Sequence, residues 1–364
     1  MDTATPRYLA PVPPIGASMR LRQSTVGALV AFARVIKDAL RRYLIRTFPV
    51  PYEILFTRGN LDESISAVVA GHREFLRLMR RPALRPLMTE HPALIYRCYR
   101  MYLANSFTKI DRRAAIVQHY AYLLSRVSKT FFLEIVRDRP RLWEKTIGSH
   151  NFAIRLSFTN GLHHEGDLQL EFQADLVPLY HLSFTIAPGY LVGSEAAQVI
   201  LIARVQGVVG KFDAIRHGTK TCLDVAPPHL LMAAVQGVSD ALNVDMIAGI
   251  RNKEQLTANI KDRRRSRNVC FDYDAFWRTY SGAEGEKFYL IPVPIPDKPL
   301  ELINSIHRRR TRLKRQFKSE VTADSKAALR TLLAYGNKKA SVRTDISSRQ
   351  KSATSSGDTA VWST

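Results

Sequence analysis

Six residues, Gln206-Gly207-Val208-Val209-Gly210-Lys211, end an apolar run with two glycines and a lysine. Glycines after a strand let the backbone approach a ligand, and free N–H groups at a helix start favour phosphate. This makes the segment a candidate anion cradle. A Walker-type loop has four residues between its glycines and Ser or Thr after its lysine. Here two residues separate the glycines and Phe212 follows Lys211. The G-x-G-x-x-G spacing of a dinucleotide fingerprint is absent as well. A Gly-x-x-Gly loop can clamp a nucleic-acid backbone. A tight turn without a ligand fits the six residues equally well.

A second cluster, Asp272, Tyr273, Asp274, Phe276 and Trp277, gathers carboxylates with aromatics. Two such groups can act as acid and base. The plainer reading is a helix N-cap followed by an aromatic packing face. His163-His164-Glu165 with Asp167 invites a metal, but neighbours on a connector rarely all face one ion, so no metal is expected. Two basic clusters, Lys261 to Arg267 and Arg308 to Lys318, could grip phosphates. Few aromatics interleave them, which disfavours base stacking and makes nucleic acid the weaker partner. There is no Gly-x-Ser-x-Gly nucleophile elbow. His119 sits inside a helical stretch, where a histidine is most often structural.

The elements that must position these groups are legible from periodicity. Residues 1–18 are proline-rich and are expected to be disordered. A helical region is expected over 19–145. Its first helix spans Val26 to Arg46, with Arg34, Lys37, Arg41 and Arg42 beside an apolar stripe. Such a helix can lie on an anionic membrane or pack on the domain core. Helices follow over Asp62 to Met79 and from Thr108, whose spacing to Asp111 suggests a capping box. The stripe expected on that helix is Ile110, Ala114, Val117, Ala121 and Leu124.

After Trp143 the period changes from 3.6 to 2. Phe152 to Phe158, Leu168 to Phe172 and Tyr180 to Ile186 alternate as half-buried antiparallel strands. Val199 to Val205 is nearly continuous apolar sequence, the mark of a strand covered on both faces. Helices are expected over Lys211 to Thr221 and after Pro227-Pro228, then a strand over Val244 to Ile250 and a short helix capped by Asp272. The fold class is therefore α+β: a helical N-terminal region followed by a mostly antiparallel sheet with helices. The α+β domain is expected over 146–318, with a disordered basic and Ser-rich tail over 319–364.

Composition bounds the partners. The 364 residues carry 54 Lys+Arg against 32 Asp+Glu, a formal net charge of +22. Such an excess draws phosphate-rich partners. Cys98, Cys222 and Cys270 are scattered and odd in number, unlike a disulfide framework. No apolar run is long enough to span a bilayer, and no small-residue cleavage site follows Val26 to Ala33. A cytoplasmic protein is expected, with peripheral contact to an inner membrane as one reading.

The chain from about Tyr96 to Phe317 resembles the bacterial VirK/YbjX proteins. The residues that carry the resemblance are Phe107, Arg112 and His119-Tyr120, then Asn160-Gly161 with Glu165-Gly166-Asp167-Leu168 and Leu182-Ser183-Phe184. Gln206-Gly207, Phe271-Asp272-Tyr273-Asp274-Ala275-Phe276-Trp277, Phe288 through Pro292 and a basic helix complete it. The chain departs from that pattern at His229, where such proteins usually carry Lys, and in an Arg-rich insert before Phe271. The resemblance implies links to virulence, stress response and resistance to cationic antimicrobial peptides. It supplies no catalytic residue.

The strand-to-helix turn is also similar to the acyl-CoA turn of GNAT acyltransferases, a Gln/Arg-x-x-Gly-x-Gly/Ala loop, although the full spacing is not kept. That similarity implies a GNAT-like domain in which backbone N–H groups near Gly207 to Lys211 hold the CoA pyrophosphate. Gln206 would orient the loop, Gly210 would shape it, and Lys211 and Lys220 would add charge. Asp272 or Tyr273 would serve as acid or base. The alternative is a non-catalytic basic module on anionic lipid or nucleic acid.

Overall fold

The computed structural model describes residues 65–159, 164–256 and 271–353, with side chains described over 71–159, 164–256 and 271–333. The expectations for residues 1–18, the basic helix at 26–46, Asn160-Gly161, His163, the Lys261–Arg267 cluster and residues 354–364 lie outside these ranges.

Eight described strands form one sheet in the order β1-β2-β3-β4-β5-β6-β8-β7. They are β1 (Arg141–Ile147), β2 (His150–Phe158), β3 (Leu168–Ala174), β4 (Val177–Pro188), β5 (Gln198–Gly207), β6 (Met246–Ile250), β7 (Ala283–Glu284) and β8 (Phe288–Pro292). Every pairing is antiparallel except β5 with β6. That parallel pair needs a crossover. Two helices supply it: α5 (Phe212–Thr221) and α6 (Pro227–Leu242). The other described helices are α1 (Ile65–Met79), α2 (Arg85–Glu90), α3 (Lys109–Leu124), α4 (Phe131–Arg137), α7 (Tyr273–Arg278) and α8 (Ser305–Ala353). The α+β expectation holds.

Cross-strand partners share a face. Phe158, Leu156 and Ile154 pair with Leu168, Leu170 and Phe172. Those pair in turn with Phe184, Leu182 and Tyr180, which completes one apolar face. The crossover helices cover it: Gly218 of α5 sits against Phe152 and Phe172, and α6 packs on β3, β4 and β5. Burying a Leu or Phe side chain stabilises by about 1.5–3 kcal/mol, so this layer dominates the core. Val199 to Ala203 and Val205 are fully buried, as their unbroken apolar run requires.

The opposite face is polar. Its residues alternate with the apolar ones, as expected, yet many are buried rather than solvated. Ser183 and Thr185 are fully buried, and Ser157, Glu171 and Gln173 nearly so. Near the start of β3 this face carries Asp167, fully buried with Arg97 at 2.5 Å. Asp167 also accepts from Tyr120 at 2.9 Å, from Thr185 at 3.0 Å and from Tyr102. His119 is buried with them, its Nδ1 accepting from the Ile186 N–H at 3.1 Å.

Three expectations need correction. The helix from Thr108 has its capping box, but it buries Ala115, Ile116, His119, Tyr120, Tyr122 and Leu123, and Ile110 is exposed. The helix is rotated because Tyr120 reaches Asp167. The sheet begins at Arg141, inside the region expected to be helical. The expected tail from 319 starts instead as helix. α8 continues to Ala353, and Val321, Ser325 and Leu329 are buried on it. α8 crosses α6 at Gly237, where a Cβ would fall 2.3 Å from the Thr322 carbonyl oxygen.

Candidate functional site

The corner where β5 meets α5 is exposed. Val209 and Phe212 are 74% and 73% accessible, and Lys211 and Lys220 both face solvent. Gly210 adopts φ +77°, a conformation that favours glycine. Gly207 serves packing: a Cβ there would lie 3.1 Å from Ile215 Cδ1. Val208 N–H donates to the Leu179 carbonyl (2.9 Å) and Lys211 N–H to the Val208 carbonyl (3.2 Å). These two amides are therefore taken. The N–H groups of Phe212, Asp213 and Ala214 have no acceptor among the described residues, because α5 lacks a side-chain cap. Asp213 places a carboxylate in that same turn.

β5 outruns its parallel partner. Ile200, Leu201 and Ile202 pair with Ile247, Ala248 and Gly249, after which β5 runs on to Gly207. The strands part there, and side chains bridge the gap. Gln255 Nε2 donates to the Ala203 carbonyl at 2.8 Å. Tyr273 Oη accepts from Val205 N–H at 3.0 Å and donates to the Val205 carbonyl at 3.3 Å. One phenol thus stands in for a missing strand. Burial pushes its pKa well above that of an ordinary phenol.

Tyr273 and Asp272 are neighbours with different placements. Asp272 is exposed and caps α7, accepting from Ala275 N–H at 3.1 Å and from Asn252 Nδ2 at 2.9 Å. Those bonds, the Ala275 amide first, hold its pKa below the usual carboxylate range. A low-pKa carboxylate committed to a cap is poorly suited to proton transfer near neutral pH. Asp274 faces Arg251 at 3.5 Å.

The polar sheet face meets the gap. Arg204 lies opposite Ser183 and Gln206 opposite His181, which lies opposite Glu171, itself opposite Arg155. A row of four polar side chains thus crosses β2 to β5. Within it His181 Nδ1 is 3.4 Å from Glu171 Oε2, and Arg204 Nε donates to Gln206 Oε1 at 3.1 Å. Glu165, from the connector into β3, closes on Arg204 at 3.6 Å. Burial raises the Glu165 pKa, with Arg204 opposing. Glu165 and Arg204 both act electrostatically on the Tyr273 phenol. A carboxyl with a raised pKa, an arginine and a protonated phenol therefore surround one stretch of β5. Such perturbed groups cluster where proton transfer occurs.

The structure brings Gln206 and Tyr273 to this stretch and leaves Asp272, Lys211 and Lys220 on the outside. Sequence reasoning weighed Glu165 only as a metal ligand and a family-pattern residue, and missed Arg204, His181 and Glu171. A polar residue every second position was the available signal, but it marks a solvated face equally well. His164, Glu165 and Asp167 do not converge on one point, since Asp167 belongs to the Arg97 cluster. Among the described residues no group of three or more His, Cys, Asp or Glu could hold a metal ion, and no helix is long and apolar enough to cross a membrane.

Residues 68–326 match the family described as "Protein of unknown function (DUF535)". Over 243 residues, 65% of this chain and 71% of the relative, the sequence is 26% identical to the uncharacterized protein YbjX of Escherichia coli (strain K12). No solved structure matches. The VirK/YbjX resemblance holds.

Proposed function

This chain belongs to the protein family of unknown function DUF535, and from that premise we propose that it is a GNAT-type acyltransferase using acyl-CoA. The observation that carries the reading is the gap between β5 and β6, flanked by the glycine corner on one side and by Glu165, Arg204 and Tyr273 on the other. Acyl transfer from a thioester needs three things: a hold on the phosphates, a slot for the extended arm, and groups that move protons. The corner offers the first-turn amides of α5 with Lys211. Counted from Arg204, the sequence keeps Arg-x-x-Gly at Gly207, and Gly210 falls one residue late. Val209 and Phe212 offer exposed apolar surface to a base ring.

The slot is the gap itself. An arm bearing amides would exchange its own hydrogen bonds for those of Gln255 and Tyr273 with Ala203 and Val205. The residues fit this reading at the corner and gap, and Asp213 works against it. When bound, acyl-CoA would supply the activated acyl group. Glu165, whose raised pKa suits a base, would take the proton of an attacking amine or hydroxyl. Tyr273, kept protonated by burial, would return a proton to the leaving thiolate. Val205 N–H would face the developing oxyanion once Tyr273 releases it. Asp272 has no part in the step.

Calorimetry of the full-length protein with CoA, acetyl-CoA and a long-chain acyl-CoA tests the reading. Binding of at least one, with thiol release on adding amine acceptors, is expected. Tyr273→Phe should lower kcat while leaving KM for the acyl-CoA largely unchanged. No heat with any of the three ends the proposal.

One observation favours a second reading, a basic module on an anionic membrane surface at the cytoplasmic side. Leu302, Ile306 and Leu313 are 66%, 81% and 46% exposed around Arg308, Arg309, Arg310 and Arg312. Apolar side chains among arginines suit a lipid interface. Binding to phosphatidylglycerol vesicles should then weaken steeply with salt and disappear on reversing Arg308, Arg309 and Arg310 to Glu. Retained binding would count against it.

A further inference from the structure

A cleft of about 790 Å³ lies between α6, the end of α7, residues 295–298 and α8. Its walls carry Arg278, Lys298, Lys314, Arg315 and Lys318 against two carboxylates, Asp224 and Asp297. Both carboxylates are already engaged. Arg310 reaches Asp224 at 2.6 Å from outside the lining, and Arg315 lies 3.3 Å from Asp297. Lys314 donates to the Asp224 carbonyl at 2.8 Å and forms no ion pair with the carboxylate, which Arg310 holds. Lys318 has no acidic partner among the described residues.

At the floor, His229 Nδ1 lies 2.6 Å from the Tyr280 hydroxyl. Burial first, then Lys318 and Lys314, lower its pKa to about 4. The imidazole is therefore neutral near pH 7, and both ammonium groups act on the same spot. Val225, Ala233 and Ile295 add apolar wall beside them.

We propose that this cleft binds a small phosphate-bearing molecule, with Lys314 and Lys318 holding the phosphate beside His229 and the Val225, Ala233 and Ile295 wall taking the ligand's apolar part. Two lysines outside any described ion pair match a dianion better than a single carboxylate, and the volume accommodates more than a bare ion. A neutral imidazole offers a hydrogen bond without adding charge. The proposal does not depend on acyl transfer at the β5 corner, because the two sites share no residue.

The test is titration of the full-length protein with phenyl phosphate at low salt, followed by calorimetry and by the NMR signals of the His229 ring. Saturable one-to-one binding that shifts the His229 signals is expected. Lys318→Gln and Lys314→Gln should each weaken it about tenfold, as loss of one close charge contact does. Lys129→Gln, at an exposed lysine outside the lining, should leave it unchanged. Circular dichroism checks that each variant is folded. No saturable binding, unmoved His229 signals, or equal loss in Lys129→Gln would overturn the proposal. Vesicles containing phosphatidic acid distinguish the source. Displacement of phenyl phosphate by them assigns the phosphate to a lipid headgroup, absence of displacement assigns it to a soluble ligand, and either result supports the site.

Discussion

Replacing Asp167 by Asn should destabilise the protein by about 3–5 kcal/mol, the usual effect of removing one partner of a buried ion pair. The side chains of Asp167 and Arg97 are 0% and 1% exposed. Arg97 Nη1 donates to the carboxylate and to the Gly166 carbonyl (3.2 Å), and its Nη2 has no partner. Without Asp167 the buried guanidinium keeps its charge with no counterion among the described residues. Asn preserves shape and can still accept from Tyr102 or Tyr120, so the loss isolates charge from packing.

Burial alone would raise the Asp167 pKa, but Arg97 and then His119 and the two phenols outweigh it and hold it below the usual range. A carboxylate depressed in the folded state contributes stability above its unfolded pKa and loses it as pH falls through the folded value. The variant should therefore also show a weaker loss of stability in acid, below about pH 4. Urea unfolding followed by fluorescence and circular dichroism gives the measurement. With an m-value on the order of 3 kcal/mol/M, the midpoint should fall by about 1 M or more. The double variant Arg97→Met with Asp167→Leu should recover much of that loss, because no unpaired charge remains. A loss under about 1 kcal/mol for Asp167→Asn with Arg97 intact would refute the account of this cluster.

Further outcomes follow from other groups. Tyr273→Phe leaves both the N–H and the carbonyl of Val205 without their bridge and should cost about 1–3 kcal/mol in urea unfolding. The His229 ring should titrate near pH 4 by NMR and rise when Lys314 and Lys318 are both changed to Gln. Its folded pKa lies below its unfolded value, so its contribution is complete above about pH 6.5 and declines as pH falls towards the folded value. A chain ending at Lys318 should lose cooperative unfolding, because it lacks Val321 and Leu329, each worth roughly 1.5–3 kcal/mol of burial.

The strands were legible because both signals are local: β2 to β4 fall where the period of two predicts them, and β5 where the unbroken apolar run does. What the polar half of the alternation does was not legible. Gln169, Glu171, His181 and Ser183 look like a solvated face until their partners are known, and those partners are remote. Arg97 and Asp167 are 70 residues apart, and Glu165 meets Arg204 across the sheet. The same remoteness rotated α3, because Tyr120 turns toward a carboxylate that no helical period reveals. The continuation of α8 past residue 318 was missed for another reason. Phe317, Val321, Ser325 and Leu329 repeat every four residues, but Arg, Lys and Ser between them lower the mean hydropathy. The N-cap at Asp272 was legible in full, because capping chemistry lies within four residues.

Glu165 and Arg204 pose the last question, since stability does not require a charged pair there. A buried ion pair often stabilises no more than well-packed apolar residues of similar volume. If the group is structural, Glu165→Leu with Arg204→Met should leave the unfolding midpoint unchanged or raised, with every binding property intact. If it serves acyl transfer, the same pair should keep or gain stability while thiol release falls by two or more orders of magnitude, the usual worth of positioned proton transfer. Glu165→Gln separates the roles further. It keeps a polar side chain of the same size beside Arg204 and removes the titratable proton, so acyl-CoA binding should survive and the pH dependence of turnover should flatten on its acidic side. A double variant both less stable and fully active would place the group in the fold and remove it from the chemistry.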